Sequence, residues 1–315
     1  MRRRFLGLGL LIMAAALFAP TVAVDPVTAQ TADPVLVAVG DLSPEPSVAT
    51  VDDVRTAELA VAANPTVVAV LGDEQYENGA YEKFIDLNGY QGSWGRLKAK
   101  TCAVIGNHEY LDPPAGPAGF LAYFKPNCVL PRSGPGIPGV YVYTVGAWRV
   151  YVLDSECRHQ WGTGPGCGRY DPMINWLRKD LQAHRSGCQL AMWHIPRWGQ
   201  GAPWGDDAQI TWLWNVFSYW GGDLVLNGHD HAYARFTSMR ENGTADPTFQ
   251  GPRAITVGTG GKSLIAFTKP AHAGTRYRDD KHFGVLRLQL SPRGWSSEFR
   301  RTDGVVADRA SAGCG

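Results

Sequence analysis

The sequence lacks several features that are typical of particular classes of protein. It contains no C-x-x-C pair, so its cysteines do not have the spacing of common structural zinc sites. Positive and negative charges nearly balance, because 30 basic and 29 acidic residues give a formal net charge of +1. A chain without a basic field is not expected to bind nucleic acid. Beyond the N-terminus, no apolar run approaches the roughly 18 residues that span a membrane.

The first 30 residues have the pattern of an export signal. They begin with the basic stretch "MRRR", continue with an apolar stretch, and offer small-residue cleavage candidates at "TVA" and "VTA". The stretch "RRRFL" also fits a twin-arginine pattern. We therefore expect residues 1–30 to be a signal peptide, residues 31–315 to form a single domain, and the mature protein to be secreted or extracytoplasmic.

The six cysteines are an even number in a chain expected to be exported, which favours three disulfides. Connectivity does not follow from sequence alone. Cys157 and Cys167 enclose the short glycine-rich stretch "RHQWGTGPG", and this is the pair that we predict first.

Apolar, β-branched runs alternate with helix-like segments, a pattern typical of a layered α/β fold. Helices are expected over residues 51–63, 171–184 and 210–220, the second with Asp171 as its cap. After Gly251 the pattern changes to strands with little helix, which predicts a second sheet packing on the first.

Polar side chains able to bind metal follow five of the predicted strands. The five segments are "VAVGD" with Asp41, "VLGDEQY" with Asp73 and Tyr76, "VIGNHE" with Asn107 and His108, "AMWH" with His194, and "LNGHDH" with His229 and His231. In open α/β sheets the carboxyl ends of the strands are where ligands bind. Glycine precedes the polar residue in four of the five segments, which permits a sharp turn and a close approach of the backbone.

Each segment alone has an ordinary structural interpretation. Asp after Gly is a common turn residue, and a histidine after an apolar run can be a satisfied core residue. Together the segments indicate a metal site, because four of the eight histidines fall within them. Asp, Tyr, Asn and His without Cys suit Fe, Mn or Zn. Seven candidate ligands are too many for one tetrahedral ion and suit two ions bridged by a carboxylate.

The ordered set "GD", "GDEQY", "GNHE", "WH" and "GHDHAY" resembles the calcineurin-like metallophosphoesterases, and among them the purple acid phosphatase type. The stretches "VLNGHDHAYARF" and "VGTGGKS" resemble exported bacterial members of that group, and the similarity covers residues 35–290. The resemblance implies an α/β fold, a four-layer αββα sandwich of two mixed β-sheets flanked by helices.

The resemblance also implies a ligand set. One metal would take Asp41, Asp73, Tyr76 and His231, and the other would take Asp73, Asn107, His194 and His229, with Asp73 bridging. The implied pair is Fe(III) with Fe(II), Zn(II) or Mn(II).

The same resemblance implies roles in binding and catalysis. Asn107 and His108 would contact the phosphate, with His108 also the proton donor, and a metal-bound hydroxide would be the nucleophile. Arg197, in the loop after His194, is a further candidate phosphate contact or an ordinary surface charge.

Three positions depart from the pattern of the resembled group. Ser43 stands in place of a second glycine, Ile195 in place of a second histidine, and Ala234 in place of a glutamate. None of these changes removes a ligand, but they bear on the surroundings of the site and hence on substrate preference.

The sequence therefore predicts an exported binuclear phosphatase, an enzyme hydrolysing small-molecule phosphomonoesters. The alternative is a phosphodiesterase acting on nucleotides or phospholipid head groups, since the same metal pair serves both ester classes. A third hypothesis is a surface-binding protein without catalysis, which has no need to keep Tyr76 and Asn107 together. Oligomeric state does not follow from the sequence.

Overall fold

The computed structural model describes residues 32–48, 50–112, 116–126, 128–157, 167–199, 206–245, 248 and 251–315. The signal peptide predicted for residues 1–30 lies outside the described residues. In the described part of the chain, no helix is both long enough and apolar enough to cross a membrane.

The described residues form 14 β-strands and five α-helices. In chain order these are β1 (Val35–Val39), α1 (Asp52–Ala62), β2 (Val67–Val70), α2 (Tyr81–Phe84), β3 (Thr101–Ala103), α3 (Ala118–Tyr123), β4 (Arg132–Ser133), β5 (Tyr141–Val145), β6 (Trp148–Val152), α4 (Pro172–Ala183), β7 (Cys188–Met192), α5 (Thr211–Tyr219), β8 (Leu224–Asn227), β9 (Tyr233–Phe236), β10 (Arg253–Val257), β11 (Thr275–Asp279), β12 (Gly284–Ser291), β13 (Gly294–Arg301) and β14 (Val306–Gly313). Two 3-10 helical segments, Trp94–Lys100 and His108–Tyr110, lie on either side of β3.

The strands form two mixed sheets. The six-stranded sheet has the order β14-β13-β12-β1-β2-β3, and the eight-stranded sheet has the order β11-β9-β10-β8-β7-β6-β5-β4. In the first sheet β1, β2 and β3 run parallel, and in the second β6, β7, β8 and β10 run parallel. Helices flank both sheets, so the predicted αββα sandwich is confirmed.

The molecule has two hydrophobic cores, and alternate side chains of a strand contribute to each. In β6, Val150 and Val152 lie in the core shared by the two sheets, whereas Tyr151 packs in a second core against α4 and α5. Successive residues of a strand point to opposite faces of the sheet, which is why one strand serves both cores. On the other side of the sandwich, α1 packs against β12 and the Trp94–Lys100 segment.

The three predicted helices are confirmed, each to within one residue at either end. The clearest is α4, where the Asp171 side chain accepts a hydrogen bond from the N–H of Met173 at 2.8 Å. Pro172 occupies the first turn, where its missing N–H costs no intrahelical bond. Ile174, Leu177 and Leu181 are buried on one face, as their spacing predicts.

The prediction of a separate sheet after Gly251 is wrong. Strands β12, β13 and β14 extend the first sheet through the antiparallel pairing of β12 with β1, and β10 and β11 join the second sheet. Alternating burial identifies a strand but not its partner, because the partner is chosen by contacts far away in the sequence.

Three disulfides join the six cysteines, as predicted. The pairs are Cys102–Cys128, Cys157–Cys167 and Cys188–Cys314. The last pair spans 126 residues and ties β7 to the segment after β14. The predicted Cys157–Cys167 pairing is confirmed.

Candidate metal centre

The candidate residues gather where strands of both sheets end. Asp41, Asp73 and Asn107 follow β1, β2 and β3 of the first sheet, whereas His194 and His229 follow β7 and β8 of the second. Backbone hydrogen bonds join the loops within each sheet, such as the N–H of Asp41 to the carbonyl of Gly72 at 3.1 Å. A side-chain bond joins the sheets, since Nδ1 of His194 donates to the carbonyl of Leu71 at 2.8 Å.

One group of donor atoms surrounds the phenol oxygen of Tyr76. This oxygen lies 2.9 Å from Oδ1 of Asp41, 2.9 Å from Oδ2 of Asp73 and 3.0 Å from Nε2 of His231. Tyr76 and Asp41 are fully buried. The four residues that the resemblance assigns to one metal are therefore brought together.

A second group surrounds the amide oxygen of Asn107. Oδ1 of Asn107 lies 3.1 Å from Nε2 of His194 and 2.9 Å from Nδ1 of His229, and the two ring nitrogens are 3.3 Å apart. Oδ2 of Asp73 lies 3.3 Å from Nε2 of His194. Potential ligand atoms of Asp73, His194 and His229 all lie within 4.8 Å of one another. Asp73 is common to both groups.

The charges in these groups fit cations. Burial opposes a charge on His194, but the adjacent Asp73 carboxylate raises the pKa of His194 to about 10, so a metal ion would have to displace the proton on its Nε2. Burial and the neighbouring His194 lower the pKa of His229 to about 4, which leaves its ring neutral and able to bind metal. Burial, together with Asp41 and Asp73, raises the pKa of Tyr76 well above its usual value. Tyr76 would therefore bind a metal as a phenolate only beside a strong local positive charge.

Hydrogen bonds to backbone carbonyls orient two of the imidazoles. Nδ1 of His194 donates to Leu71 O, and Nδ1 of His231 donates to Ser263 O at 2.8 Å. Each bond places the proton on Nδ1 and turns Nε2 towards the centre, the arrangement usual for metal-binding histidines. His229 instead presents Nδ1, since that nitrogen faces Asn107.

The backbone at the centre is held in an uncommon conformation. Asp41, Asp73 and His229 have positive φ angles of 59°, 53° and 70°. Residues other than glycine rarely adopt this region, and such strain clusters at functional sites. Gly106 is needed beside them, because a Cβ added there would lie 2.2 Å from Oδ1 of Asp73.

His108 lies beside Asp73 at the edge of the centre. Its backbone N–H donates to Oδ1 of Asp73 at 2.9 Å, and its Nδ1 donates to the carbonyl of Glu77 at 2.6 Å. This second bond directs Nε2 towards Asp73, whose Oδ2 is 3.9 Å away. The side chain is 21% exposed, so it can meet a substrate arriving from solvent.

Glu109 is a residue of the centre to which the sequence interpretation gave no role. Its carboxylate is fully buried and accepts three backbone hydrogen bonds, from Asp73 at 3.0 Å, Glu74 at 3.0 Å and Gly106 at 2.8 Å. The carboxylate thereby joins the loop after β2 to the loop after β3. Its place in the "GNHE" segment was a signal, but nothing in that spacing shows what a glutamate would hold.

Lys262, in the stretch "VGTGGKS", is a second residue of the centre that the sequence interpretation does not identify. Its ammonium lies 4.3 Å from the centroid of the Tyr76 ring and forms an ion pair with Glu77. The backbone N–H of Lys262 donates to the carbonyl of Asp41 at 3.1 Å. The loop after β10 therefore contacts the centre both through its backbone and through this cation.

The three departures from the resembled pattern occupy buried positions. The hydroxyl of Ser43 lies 3.1 Å from that of Ser93, which links the loop after β1 to the Trp94–Lys100 segment. Ile195 and Ala234 belong to the core between the second sheet and α4 and α5. Both replacements are compatible with an apolar environment.

Arg197 lies in the segment after β7, three residues beyond His194. Its guanidinium lies 4.0 Å from the Trp198 ring centroid, and its backbone carbonyl accepts a bond from Asp207. Within the described residues, Nε of Arg197 is buried without a hydrogen-bond partner. Its proposed contact with phosphate stays a prediction.

Comparison with known proteins gives a family match. The sequence model for calcineurin-like phosphoesterases matches residues 34–233. No curated protein matches the chain.

Solved structures share the fold at low sequence identity. A purple acid phosphatase from yellow lupin (Lupinus luteus) has a TM-score of 0.64 at 17% identity, covering 90% of this chain and 54% of the lupin chain, so this chain spans about half of that protein. GAP50, the anchor in the inner membrane complex of Plasmodium, has a TM-score of 0.65 at 12% identity, covering 90% of each chain. PhoD has a TM-score of 0.56 at 13% identity, covering 90% of this chain and 69% of PhoD. At these identities the likeness establishes the fold alone.

Proposed function

The chain belongs to the calcineurin-like phosphoesterase family, the family of metal-dependent phosphoester hydrolases, and from this premise we propose that it is an exported phosphatase acting on small phosphomonoesters. The observation that carries the proposal is the convergence of two buried donor groups on one shared carboxylate, that of Asp73. A binding protein of this fold has no need for such a buried and strained arrangement.

The two groups would hold different metal ions. The first combines the carboxylates of Asp41 and Asp73 with the phenol of Tyr76, which favours a trivalent ion, Fe(III). The second adds only neutral donors to Asp73, namely Asn107, His194 and His229, which favours Fe(II), Zn(II) or Mn(II). When bound, such a pair supplies Lewis acidity towards the phosphoryl group and lowers the pKa of water.

Side chains of the protein would carry out the remaining tasks. The Asn107 amide and the His108 ring lie at the edge where the phosphate would bind. Nδ1 of His108 donates its proton to the backbone carbonyl of Glu77. The proton that His108 would give to the leaving oxygen is therefore one carried on Nε2. A positioned acid of this kind contributes roughly 10²- to 10⁴-fold in rate.

Export is supported by the three disulfides, which form and persist in oxidising compartments. The signal at residues 1–30 is part of the same proposal.

The deciding experiment combines elemental analysis with assays on two related substrates. Natively exported protein should contain two metal ions per chain and hydrolyse p-nitrophenyl phosphate faster than bis-p-nitrophenyl phosphate. Preference for the diester would instead support a phosphodiesterase. Protein with neither metal nor turnover would contradict the enzymatic proposal and favour a binding role, such as that of an anchor.

Substitution Tyr76→Phe tests the Fe(III) assignment. We expect the iron-loaded wild type to be purple and the variant to be colourless, because the charge-transfer band requires a metal-bound phenolate. The measurement is the visible absorption spectrum of protein with matched iron content. A colourless wild type that holds iron would exclude Tyr76 as a ligand to Fe(III).

Substitution His108→Gln tests the proton donor. We expect kcat to fall about 10²-fold or more for alkyl phosphates but much less for p-nitrophenyl phosphate, whose leaving group needs little protonation. The control is His184→Gln, since His184 lies at the exposed end of α4. An equal loss on both ester types would contradict the role of His108 as proton donor.

A further inference from the structure

A cation that is not among the candidate ligands lies against the metal centre. It is the ammonium of Lys262, 4.3 Å from the centroid of the Tyr76 ring. The backbone N–H of Lys262 donates to the carbonyl of Asp41 at 3.1 Å, which fixes the base of the side chain beside the centre. The ammonium forms an ion pair with Oε1 of Glu77. The centre therefore has a charged pair on its rim, made by Lys262 and Glu77.

Glu77 joins this cation to the proposed proton donor. Its carboxylate pairs with Lys262, whereas its backbone carbonyl accepts the Nδ1 proton of His108 at 2.6 Å. The ring centroids of His108 and Tyr76 are also 4.3 Å apart. Under the proposed function the leaving oxygen meets His108, so the organic part of an ester would begin beside the Glu77–Lys262 pair.

The stability of the fold gives little reason for this ion pair. The Glu77 side chain is 59% exposed, and ion pairs that involve exposed groups contribute little to stability. A lysine next to a site proposed to hold two metal ions is also repelled by them. The position of the ammonium is favourable when an anion lies next to it, and in the structure that anion is a carboxylate.

We propose that Lys262 binds a carboxylate of the substrate in place of the Glu77 carboxylate. The exchange replaces one singly charged carboxylate with another, so the charge next to the ammonium stays the same. Because the Glu77 side chain lies largely in solvent, moving it aside opens its place to a solute. This inference rests on the proposed function and gives it a substrate class, the phosphate monoesters of small hydroxy acids.

Two esters that differ at one group test the proposal. 3-Phosphoglycerate and glycerol 3-phosphate both have an alkyl leaving group, and the first carries a carboxylate where the second carries CH₂OH. With the whole protein we expect kcat/KM to be about fivefold or more higher for 3-phosphoglycerate, mainly through a lower KM. This ratio of the two kcat/KM values is the preference that the variants are expected to change.

Two substitutions should change the preference in opposite directions. Lys262→Met removes the ammonium and should abolish the preference. Glu77→Gln frees the ammonium but keeps the backbone carbonyl that holds His108, so it should raise the preference about twofold or more. Damage to the shape of the centre would lower kcat for both esters and would not shift their ratio in opposite directions.

Lys83→Met is the matched control. Lys83 is also half-buried, with 22% of its side chain exposed, but it pairs with Glu45 at 2.7 Å. Its loss should leave the preference for 3-phosphoglycerate at the wild-type value.

The outcomes separate this inference from the proposed function. If neither ester is hydrolysed, the proposed function fails and this inference fails with it. If both esters are hydrolysed but kcat/KM is no higher for 3-phosphoglycerate, the inference is overturned and the phosphatase proposal stands. A preference that persists in Lys262→Met would overturn it in the same way.

Discussion

Asp73→Asn is expected to abolish turnover, with a loss above about 10³-fold, and to remove both metal ions. Asp73 is the one side chain that lies in both donor groups, with Oδ2 at 2.9 Å from Tyr76 and 3.3 Å from His194. Asparagine has almost the same shape, so Oδ1 can still accept the N–H of His108, which is 2.9 Å away in the wild type. What the variant loses is the negative charge that two cations would share.

The measurement is metal content per chain together with kcat on p-nitrophenyl phosphate. Far-ultraviolet circular dichroism should show an intact fold, and Asp86→Asn, at an exposed turn, should retain both metals and turnover. If Asp73→Asn kept two metals per chain and turned over within about tenfold of the wild type, the bridging assignment would be wrong.

Glu109→Ala is expected to lower the free energy of unfolding by at least about 3 kcal/mol, because it leaves three buried N–H groups without an acceptor. It should also weaken metal binding roughly 10- to 100-fold, as loss of a residue that orients ligands usually does. Glu109→Gln should have a stability and a metal affinity between those of the wild type and Glu109→Ala. An amide keeps one accepting oxygen but turns an NH₂ group towards a remaining N–H.

Urea unfolding and competition with a chelator measure the two effects of Glu109. Glu58→Ala, on the exposed face of α1, is the control and should change neither quantity appreciably. Wild-type stability in Glu109→Ala would mean that the loops after β2 and β3 hold their shape without this carboxylate.

Much of the fold could be predicted because its signals are local. The helix predicted over residues 171–184 is α4, shorter by one residue at each end, and Asp171 caps it as predicted. The αββα layering followed from the resemblance carried by the strand-end segments, and the structure agrees with it.

The pairing of strands could not be predicted, because it depends on distant contacts. Nothing in the sequence near β12 indicates that it pairs with β1, which lies some 250 residues earlier. Short edge strands such as β4, with only two residues, are too brief to leave a pattern. The same reason explains why the predicted second sheet was assigned to the wrong part of the chain.

The candidate residues of the centre could be predicted as a set, since all follow apolar runs. The contacts around them could not. Glu109 accepts its bonds from backbone groups, which carry no sequence signal, and Lys262 reaches Tyr76 from a loop nearly 190 residues further along the chain.

The position of Asp41 has a consequence for the order in which the protein matures. Asp41 is the first candidate ligand to be synthesised, but its strand pairs with β12 and its carbonyl accepts the N–H of Lys262. His231 also depends on this late segment, through the carbonyl of Ser263. Under the proposed assignment, the donor groups around Asp73 would be complete only after β12 has been made and has paired with β1. The compartment in which β12 pairs with β1 would then decide which metal ions are present when the site is completed.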